Sequence, residues 1–242
     1  MFYIPPAFRH HFPPNREANW LDDELNALGL CLRSRDPWIV DSAYMAIEDL
    51  KNSSEQLENL AGGIRLCVAC RLHESRRHAV PGEGPVNAEI MVLGEGPGGK
   101  EDAAGRPFVG PAGRYLDTLL RGQGIARDRL FITNCVKCRP PNNRTPRRDE
   151  LKTCTNLWLE RQLELISPKV IVLLGQVAAR QMLGDTATVS DLHGTTQPRN
   201  GRSYFVTYHP AAALRFDWIA ATLQEDFEIL GKLLARSTDS SQ

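Results

Sequence analysis

The sequence predicts an α/β fold of three αβα layers, with a four-stranded, mostly parallel sheet in the middle and a helical extension before it. Two features support this fold class. Short, almost wholly apolar runs of strand length recur after residue 66, and longer segments with helical spacing of apolar residues separate them. Strands that crossover helices bury on both faces have this composition. The chain has 242 residues, 42% of them hydrophobic, which is enough for one such domain and an extension.

Four strands and three crossover helices alternate along the chain. The strands are predicted over residues 90–93, 130–133, 170–174 and 204–207, and the helices over 112–123, 149–165 and 176–183. Ligands of open α/β sheets bind beyond the carboxyl ends of the strands. The candidate site therefore contains the residues that follow the strands, which are 94–98, Asn134, Gly175 and His209.

The domain organisation is predicted from a change of pattern near residue 54. Residues 1–54 form a helical extension without assigned chemistry, residues 55–236 form the α/β domain, and residues 237–242 form a flexible tail. In the extension, apolar residues between Trp20 and Leu28 have helical spacing, and Asp36-Pro37 begins a second helix that continues to Lys51. A third helix over residues 56–66 precedes Cys67.

Charge and cysteine content restrict the function class. The 29 Lys and Arg residues balance 29 Asp and Glu residues, so any nucleic-acid binding has to come from local patches. Six cysteines in a chain without a signal-like start are typical of cytosolic proteins, in which paired cysteines hold metal more often than disulfides. No segment approaches the roughly 18 apolar residues of a membrane span. We expect a cytoplasmic monomer without a membrane partner.

Two glycine-rich segments follow the first predicted strand. Residues 94–98 (GEGPG) let a ligand approach backbone amides closely, although an ordinary strand-to-helix turn has the same composition. Residues 105–113 (GRPFVGPAG) contain Phe108, which lies too far from helical neighbours to be helix core. This phenylalanine is either a surface plug or a stacking platform for a flat ligand.

Four of the cysteines can form one metal site, in two alternative ways. Cys67-x-x-Cys70 supplies two thiolates, and Cys138 with Cys154 can complete the set. Cys135-x-x-Cys138 is a second pair, so it and Cys67-x-x-Cys70 can form a zinc-like site instead. Spacing does not choose between the sets. Strand alternation favours the first set. If the preceding asparagine faces the ligand site at the strand end, Cys135 points to the opposite face of the sheet, toward a helix.

His209 and two groups of basic residues complete the candidates. Pro210 ends the last strand and holds His209 at the start of the following loop, which extends to Arg215 and can reach a bound backbone. A solvated face is the alternative interpretation of each basic group, and phosphate contacts are the functional one. The basic residues are Arg71, Arg76, Arg77 and His78, and then Lys137, Arg139, Arg144, Arg147 and Arg148.

In this order the motifs resemble those of the family 4 uracil-DNA glycosylases, over about residues 56–235. The matching motifs are Cys67-x-x-Cys70, residues 94–98, Glu101-Asp102, residues 105–113, Thr133-Asn134, residues 137–141 (KCRPP), residues 143–146 (NRTP), Cys154 and Tyr208-His209-Pro210. The resemblance implies a four-stranded parallel sheet between helices, a uracil-containing DNA substrate, and a [4Fe-4S] cluster. The implied cluster ligands are Cys67, Cys70, Cys138 and Cys154.

The resemblance also implies roles for the candidate site residues. Glu95 stabilises the sugar cation and positions water, and His209 donates to uracil O2 with help from the amides at Gly94 and Gly96. Phe108 stacks on the base, Asn134 reads its O4 and N3–H edge, and Glu101 lies near C5, where a thymine methyl would clash. The implied DNA contacts are Arg139, Arg144, Arg147, Arg148 and Arg215.

Four other classes of protein share parts of this pattern. A related group binds uracil-DNA covalently through a histidine in an inserted loop, but residues 139–146 contain no histidine. Family 5 has a nonacidic residue where this chain has Glu95. An iron-sulfur or zinc module that binds uracil-DNA without turnover is the main alternative. A nucleotide-binding regulatory domain would leave Phe108 and His209 without a role.

Overall fold

Within residues 37–239, which the computed structural model describes, five β-strands form one sheet. The strands are β1 (Ile90–Gly94), β2 (Leu130–Asn134), β3 (Val170–Leu174), β4 (Thr196–Arg199) and β5 (Arg202–Thr207). Their order is β2-β1-β3-β5-β4, and all neighbours are parallel except β4 and β5. The α/β class and the four parallel strands are confirmed.

The fifth strand is the difference from the predicted sheet. β4 has four residues, is largely polar, and contains Pro198, so it lacks the apolar run by which the other strands were predicted. It lies at the sheet edge and pairs only with β5. A proline is tolerated there because one side of an edge strand needs no ladder hydrogen bond.

Helices connect the strands and flank the sheet. They are α1 (Pro37–Leu66), α2 (Gly99–Ala104), α3 (Pro111–Gly122), α4 (Arg148–Cys154), α5 (Glu160–Ile166), α6 (Gln176–Leu183), α7 (Val189–Leu192), α8 (Pro210–Ala213) and α9 (Asp217–Asp239). A π-helical turn, Thr155–Leu159, joins α4 to α5, so the crossover predicted over residues 149–165 is one helical segment with a π turn directly after Cys154.

Alternate residues of the strands pack on opposite faces of the sheet. On one face Met91 and Ile171 pack in an apolar cluster with Leu163 of α5, and on the other Val92 and Val172 pack with helices α3 and α9. Both faces are therefore covered, as near-continuous apolar strands require. This alternation also determines which side chain at each strand end faces which side of the sheet.

The N-terminal part of the described chain is one helix. The sequence predicted two helices over this region, with a break after Lys51, whereas α1 runs without interruption from Pro37 to Leu66. The chain divides into two compact units, Met1–Asn52 and Ser53–Gln242. The predicted helix near residues 20–28 lies outside the described residues, and the separate role of residues 1–54 stays a prediction.

The other end of the chain is helical as far as the structure describes it. Helix α9 continues to Asp239, three residues past the predicted end of the domain at residue 236. Among the described helices, none has the length and apolar character that crossing a membrane requires.

Candidate functional site

A cavity of about 490 Å³ opens at the carboxyl edge of the sheet. This size is typical of pockets that take small molecules. Side chains from the ends of β1, β2 and β5 and from the two glycine-rich segments meet there, as the sequence predicted for these positions. The predicted site residues that line it are Glu95, Gly96, Glu101, Phe108, Asn134 and His209, together with Arg144 and Arg215.

Gly94 lies behind this cavity and does not line it. An ideal Cβ atom at Gly94 would be 2.5 Å from Asn134 Oδ1 and 2.7 Å from Phe108 Cζ, closer than atoms can approach. The missing side chain at the end of β1 therefore lets the amide of β2 and the phenyl ring lie side by side. At the end of β1, Gly94 thus has a packing role, and its contact with a ligand stays a prediction.

Phe108 is buried and has an unusual backbone conformation. Its side chain is 6% exposed, and its φ angle is +51°, in the left-handed region that large side chains rarely adopt. The ring stacks on His209 with centroids 5.8 Å apart and planes 27° from parallel. The phenylalanine is thus neither a surface plug nor helix core. It forms one wall of the cavity.

The tautomer of His209 follows from its backbone contacts. His209 caps α8, and its Nδ1 accepts a hydrogen bond from the backbone N–H of Ala211 at 3.1 Å. Burial lowers the pKa of His209 to about 4, although the nearby charge of Glu101 opposes the shift. The ring is therefore neutral near pH 7 with its proton on Nε2, and this N–H is the donor that it can offer to a ligand.

The two carboxylates of the cavity differ in their surroundings. Burial raises the pKa of Glu95, and within residues 48–235 no cation or hydrogen-bond donor opposes this shift. Glu101 Oε1 instead accepts a hydrogen bond from the backbone N–H of Gly110 at 2.8 Å. Glu101 is thus held against the second glycine-rich segment, whereas the Glu95 carboxylate is available to a ligand or to water.

A second, smaller cavity contains four cysteines from three segments of the chain. Cys67 and Cys70 follow α1, Cys138 follows β2, and Cys154 ends α4, and none of them forms a disulfide. Cys135 is fully buried in the apolar cluster on the α5 face of the sheet, and burial raises its thiol pKa to about 12. Cys135 therefore lies on the helix-covered face that strand alternation predicted for it, and it does not line the cavity with the other four cysteines.

Three of these four sulfur atoms accept hydrogen bonds. Cys67 Sγ accepts one from the Trp158 indole N–H at 3.2 Å, and Cys138 Sγ accepts one from the Arg76 guanidinium at 3.0 Å. Cys154 Sγ accepts one from the backbone N–H of the residue before Cys138, at 3.3 Å. Within the described part of the chain, no three potential ligands are spaced as a single metal ion requires.

Lys137 corrects the predicted basic surface, and Arg76 is partly buried. Arg76 donates to a cysteine sulfur rather than facing solvent alone, and Lys137 is 1% exposed. Lys137 Nζ donates to Thr133 Oγ1, to the backbone carbonyl of Asn134 and to Gln162 Oε1, at 2.6–2.8 Å. Burial lowers the pKa of Lys137 to about 8. No local sign of this burial is present in the sequence, because a charged residue after a strand end is usually exposed.

The arginines predicted to contact DNA have different surroundings. Arg144 makes two hydrogen bonds to the buried carboxylate of Glu150, at 2.7 and 2.8 Å, and Arg148 pairs with Asp185. Arg147 and Arg215 are exposed, and Arg139 donates to Asn143 Oδ1 at 2.7 Å. Arg144 also lines the cavity. Its contact with Glu150 joins the loop over residues 139–146 to α4.

Comparison with known proteins is consistent with this geometry. A family model described as the uracil DNA glycosylase superfamily matches residues 81–227, which include both glycine-rich segments, the ends of β1, β2 and β5, and two of the four cavity cysteines.

Curated relatives cover most of the chain. A Type-4 uracil-DNA glycosylase of Sulfurisphaera tokodaii is 42% identical over 191 residues, which are 74% of this chain and 85% of the relative. One from Saccharolobus solfataricus is 42% identical over 190 residues, 75% of this chain and 88% of the relative. One from Pyrobaculum aerophilum is 41% identical over 197 residues, 77% of this chain and 99% of the relative.

Proposed function

The chain belongs to the Type-4 uracil-DNA glycosylases of the uracil DNA glycosylase superfamily, and from this membership we propose that it removes uracil from DNA. The enzyme hydrolyses the bond between deoxyribose C1′ and uracil N1, and the products are free uracil and an abasic site. One observation carries the proposal. A stacked phenyl ring, an amide, a neutral histidine donor and a carboxylate without an ion-pair partner among the described residues line the same cavity.

The reaction requires charge of both signs to be stabilised. As the C1′–N1 bond breaks, its electron pair goes to uracil and develops on O2, while positive charge develops on the sugar. Water then adds to C1′, loses a proton and restores a neutral sugar. A donor at O2 and an anion near the sugar therefore lower the barrier, because both act where charge grows in the transition state.

We assign the donor at O2 to His209. Its Nδ1 is occupied by the Ala211 N–H, so the proton on Nε2 is available to the oxygen that gains charge. Because its pKa is depressed, the imidazole is neutral near pH 7. It stabilises this oxygen by donating a hydrogen bond from Nε2–H. The amide of Gly96, which also lines the cavity, is a second candidate donor.

We assign the anion to Glu95. Its carboxylate has no ion-pair partner among the described residues, so its charge can act on the sugar cation. The raised pKa makes the same group a better acceptor for the proton that the attacking water loses. Positioning water and stabilising the cation are therefore two uses of one side chain.

Recognition of the base is assigned to three further side chains. Phe108 would stack on the pyrimidine, and the Asn134 amide would pair with O4 and N3–H of uracil. Glu101, held by the Gly110 N–H, would exclude the 5-methyl group of thymine. The nucleotide has to leave the helix to reach these groups, at a cost of a few kcal/mol that phosphate contacts offset. The candidate contacts are Arg139, Arg144, Arg147, Arg148 and Arg215.

We further propose that the second cavity holds a [4Fe-4S] cluster. Four thiols without disulfides, on three chain segments, match the all-cysteine donor set of such clusters, and the sulfur-directed N–H groups of Trp158 and Arg76 suit thiolates. A cluster binds each thiolate at a different iron, so its ligands need not converge on one point. When bound, it would supply a cross-link between α1, the end of β2 and α4, which orders the loop with the arginines.

The proposed activity can be tested with a single-uracil oligonucleotide. We expect the purified protein to release free uracil and leave an abasic site, which alkali converts to a strand break. Undamaged thymine and cytosine oligonucleotides of the same sequence serve as controls. Binding to the uracil strand without release would favour the alternative of a module without turnover.

The pH dependence of the rate tests the assignment of Glu95. Because burial raises its pKa above the ordinary value of 4.5, we expect kcat/KM to fall as the pH is lowered through that raised pKa. Protonation removes both the negative charge and the proton acceptor. His209 gains a proton only near pH 4, so it does not cause this decrease. Rates measured at substrate concentrations well below KM, between about pH 4.5 and pH 8, report the profile.

The variant Glu95→Gln is the control for this profile. We expect it to be slow at every pH and to lack the decrease on the acid side, with circular dichroism confirming that it stays folded. An unchanged acid limb in Glu95→Gln would assign the limb to another group.

A further inference from the structure

Arg127 lies in a short 3₁₀ turn before β2 and contacts the backbone that carries the Phe108 ring. Its Nη2 donates to the backbone carbonyl of Pro107 at 2.9 Å, and its Nη1 lies 3.5 Å from the carbonyl oxygen of Phe108. The guanidinium thus contacts two consecutive carbonyls of the second glycine-rich segment. Its side chain is 26% exposed, so solvent competes little for these contacts.

Two carboxylates hold this guanidinium in place. Glu83 Oε1 is 2.8 Å from Nη2, and Asp117 Oδ1 on α3 is 2.7 Å from Nη1. Glu83 is itself tied to β2, because its backbone N–H and carbonyl pair with Ile132 at 3.0 and 2.8 Å. The planar fork of an arginine can satisfy several acceptors at once, which a lysine cannot. Arg127 therefore connects β2 and α3 to the backbone at residues 107 and 108.

Phe108 needs such support because its conformation is costly. A φ of +51° at a bulky residue is unfavourable and persists only when neighbouring groups hold it. Gly113 allows part of this conformation, since an ideal Cβ there would be 1.7 Å from the Phe108 carbonyl oxygen. That glycine removes a clash but supplies no attraction. Among the described residues, Arg127 is the side chain that donates hydrogen bonds to the carbonyls of residues 107 and 108.

We propose that Arg127 is a positioning residue that holds the Phe108 ring against His209 for stacking on the flipped base. The role rests on the proposed glycosylase function. Without the guanidinium, the backbone at residues 107 and 108 relaxes from its left-handed conformation and the ring leaves the wall of the cavity. Stacking of an aromatic side chain on a base contributes about 1–3 kcal/mol, which corresponds to roughly 5- to 150-fold in binding.

A double-mutant cycle tests this role. We expect Arg127→Met to lower kcat/KM for uracil release by about 10-fold or more, and Phe108→Ala to lower it at least as much. Because Arg127 acts through the ring, the double variant should match Phe108→Ala within about twofold. If the arginine had only a general structural role, Arg127→Met would lower the rate by the same factor in the wild-type protein and in Phe108→Ala.

The matched control is Arg106→Met. Arg106 Nε donates to the other oxygen of Glu83 at 2.8 Å, but no hydrogen bond within the described residues joins its side chain to the carbonyls of residues 107 and 108. We expect this variant to keep the wild-type rate within about twofold. Thermal unfolding of all variants shows whether any rate loss reflects unfolding.

The possible outcomes separate the two proposals. Equal rates for Arg127→Met and Arg106→Met, or additive losses in the cycle, would overturn the role of Arg127. If Arg127→Met does not fold, Arg127→Lys replaces it, and a rate loss that disappears in the Phe108→Ala background supports the role. A wild-type protein that releases no uracil would instead contradict the proposed function and leave the effect of Arg127 to be measured as affinity for uracil-containing DNA.

Discussion

Replacing His209 with alanine is expected to lower the single-turnover rate of uracil release by about 100- to 1000-fold. The reason is the loss of the Nε2–H donor at the oxygen on which charge develops. Loss of one preorganised donor of this kind costs about 2.7–4 kcal/mol of transition-state stabilisation. The loss should be in kcat rather than in KM, because the hydrogen bond strengthens as the glycosidic bond breaks.

The matched control for this prediction is His193→Ala. The ring of His193 contacts the ring of Tyr208, the residue before His209. Its Nδ1 lies 3.1 Å from the buried carboxylate of Asp226. Its loss removes a partner of that carboxylate and should lower thermal stability, while the rate stays within a few-fold of the wild type. A His209→Ala variant with near wild-type kcat would exclude His209 as the donor.

Replacing Cys154 with serine is expected to remove the bound cluster, while Cys135→Ser should keep it. The protein prepared without oxygen should contain iron and acid-labile sulfide and absorb near about 400 nm. In Cys154→Ser, iron content should fall to less than about a tenth of the wild type, because a serine hydroxyl does not replace a thiolate at iron. Thermal stability should fall as well, since the cross-link between α4 and the end of β2 is lost.

The pair of variants also separates the two ligand sets that the sequence allowed. A zinc site made from both C-x-x-C pairs would depend on Cys135 and not on Cys154, and it would contain zinc without sulfide. The structure places Cys135 in the apolar cluster with Leu163, and only Cys154 lines the cavity with the other three cysteines. Loss of metal in Cys135→Ser would therefore overturn the cluster proposal.

The positions of the site residues could be predicted because they depend on local pattern. Apolar runs located the ends of β1, β2 and β5, and parallel strands bring their carboxyl ends to the same edge of a sheet. Asn134 and His209 follow such runs, and the structure brings both to one cavity. Alternation along β2 likewise predicted that Cys135 would point away from Asn134.

Other features could not be read from local pattern. Lys137 was assigned to a basic surface, because charge alone indicates solvent, but its ammonium is buried among three oxygen acceptors from β2 and α5. Arg127 has no motif around it, and its partner Glu83 lies 44 residues before it. The edge strand β4 has a polar sequence without a strand pattern. It is a strand because it pairs with β5.

The sequence by itself determined the fold class and the order of the motifs, because strand and helix periodicity and glycine-rich turns are local properties of a chain. Only the tertiary structure decided which cysteines share a cavity, which basic side chains are buried, and how Phe108 is held in a left-handed conformation. These features depend on contacts between segments far apart in the chain, such as the hydrogen bonds from Arg127 to Pro107 and from Arg76 to Cys138. Desolvation and hydrogen-bond geometry exist only once those segments are packed together.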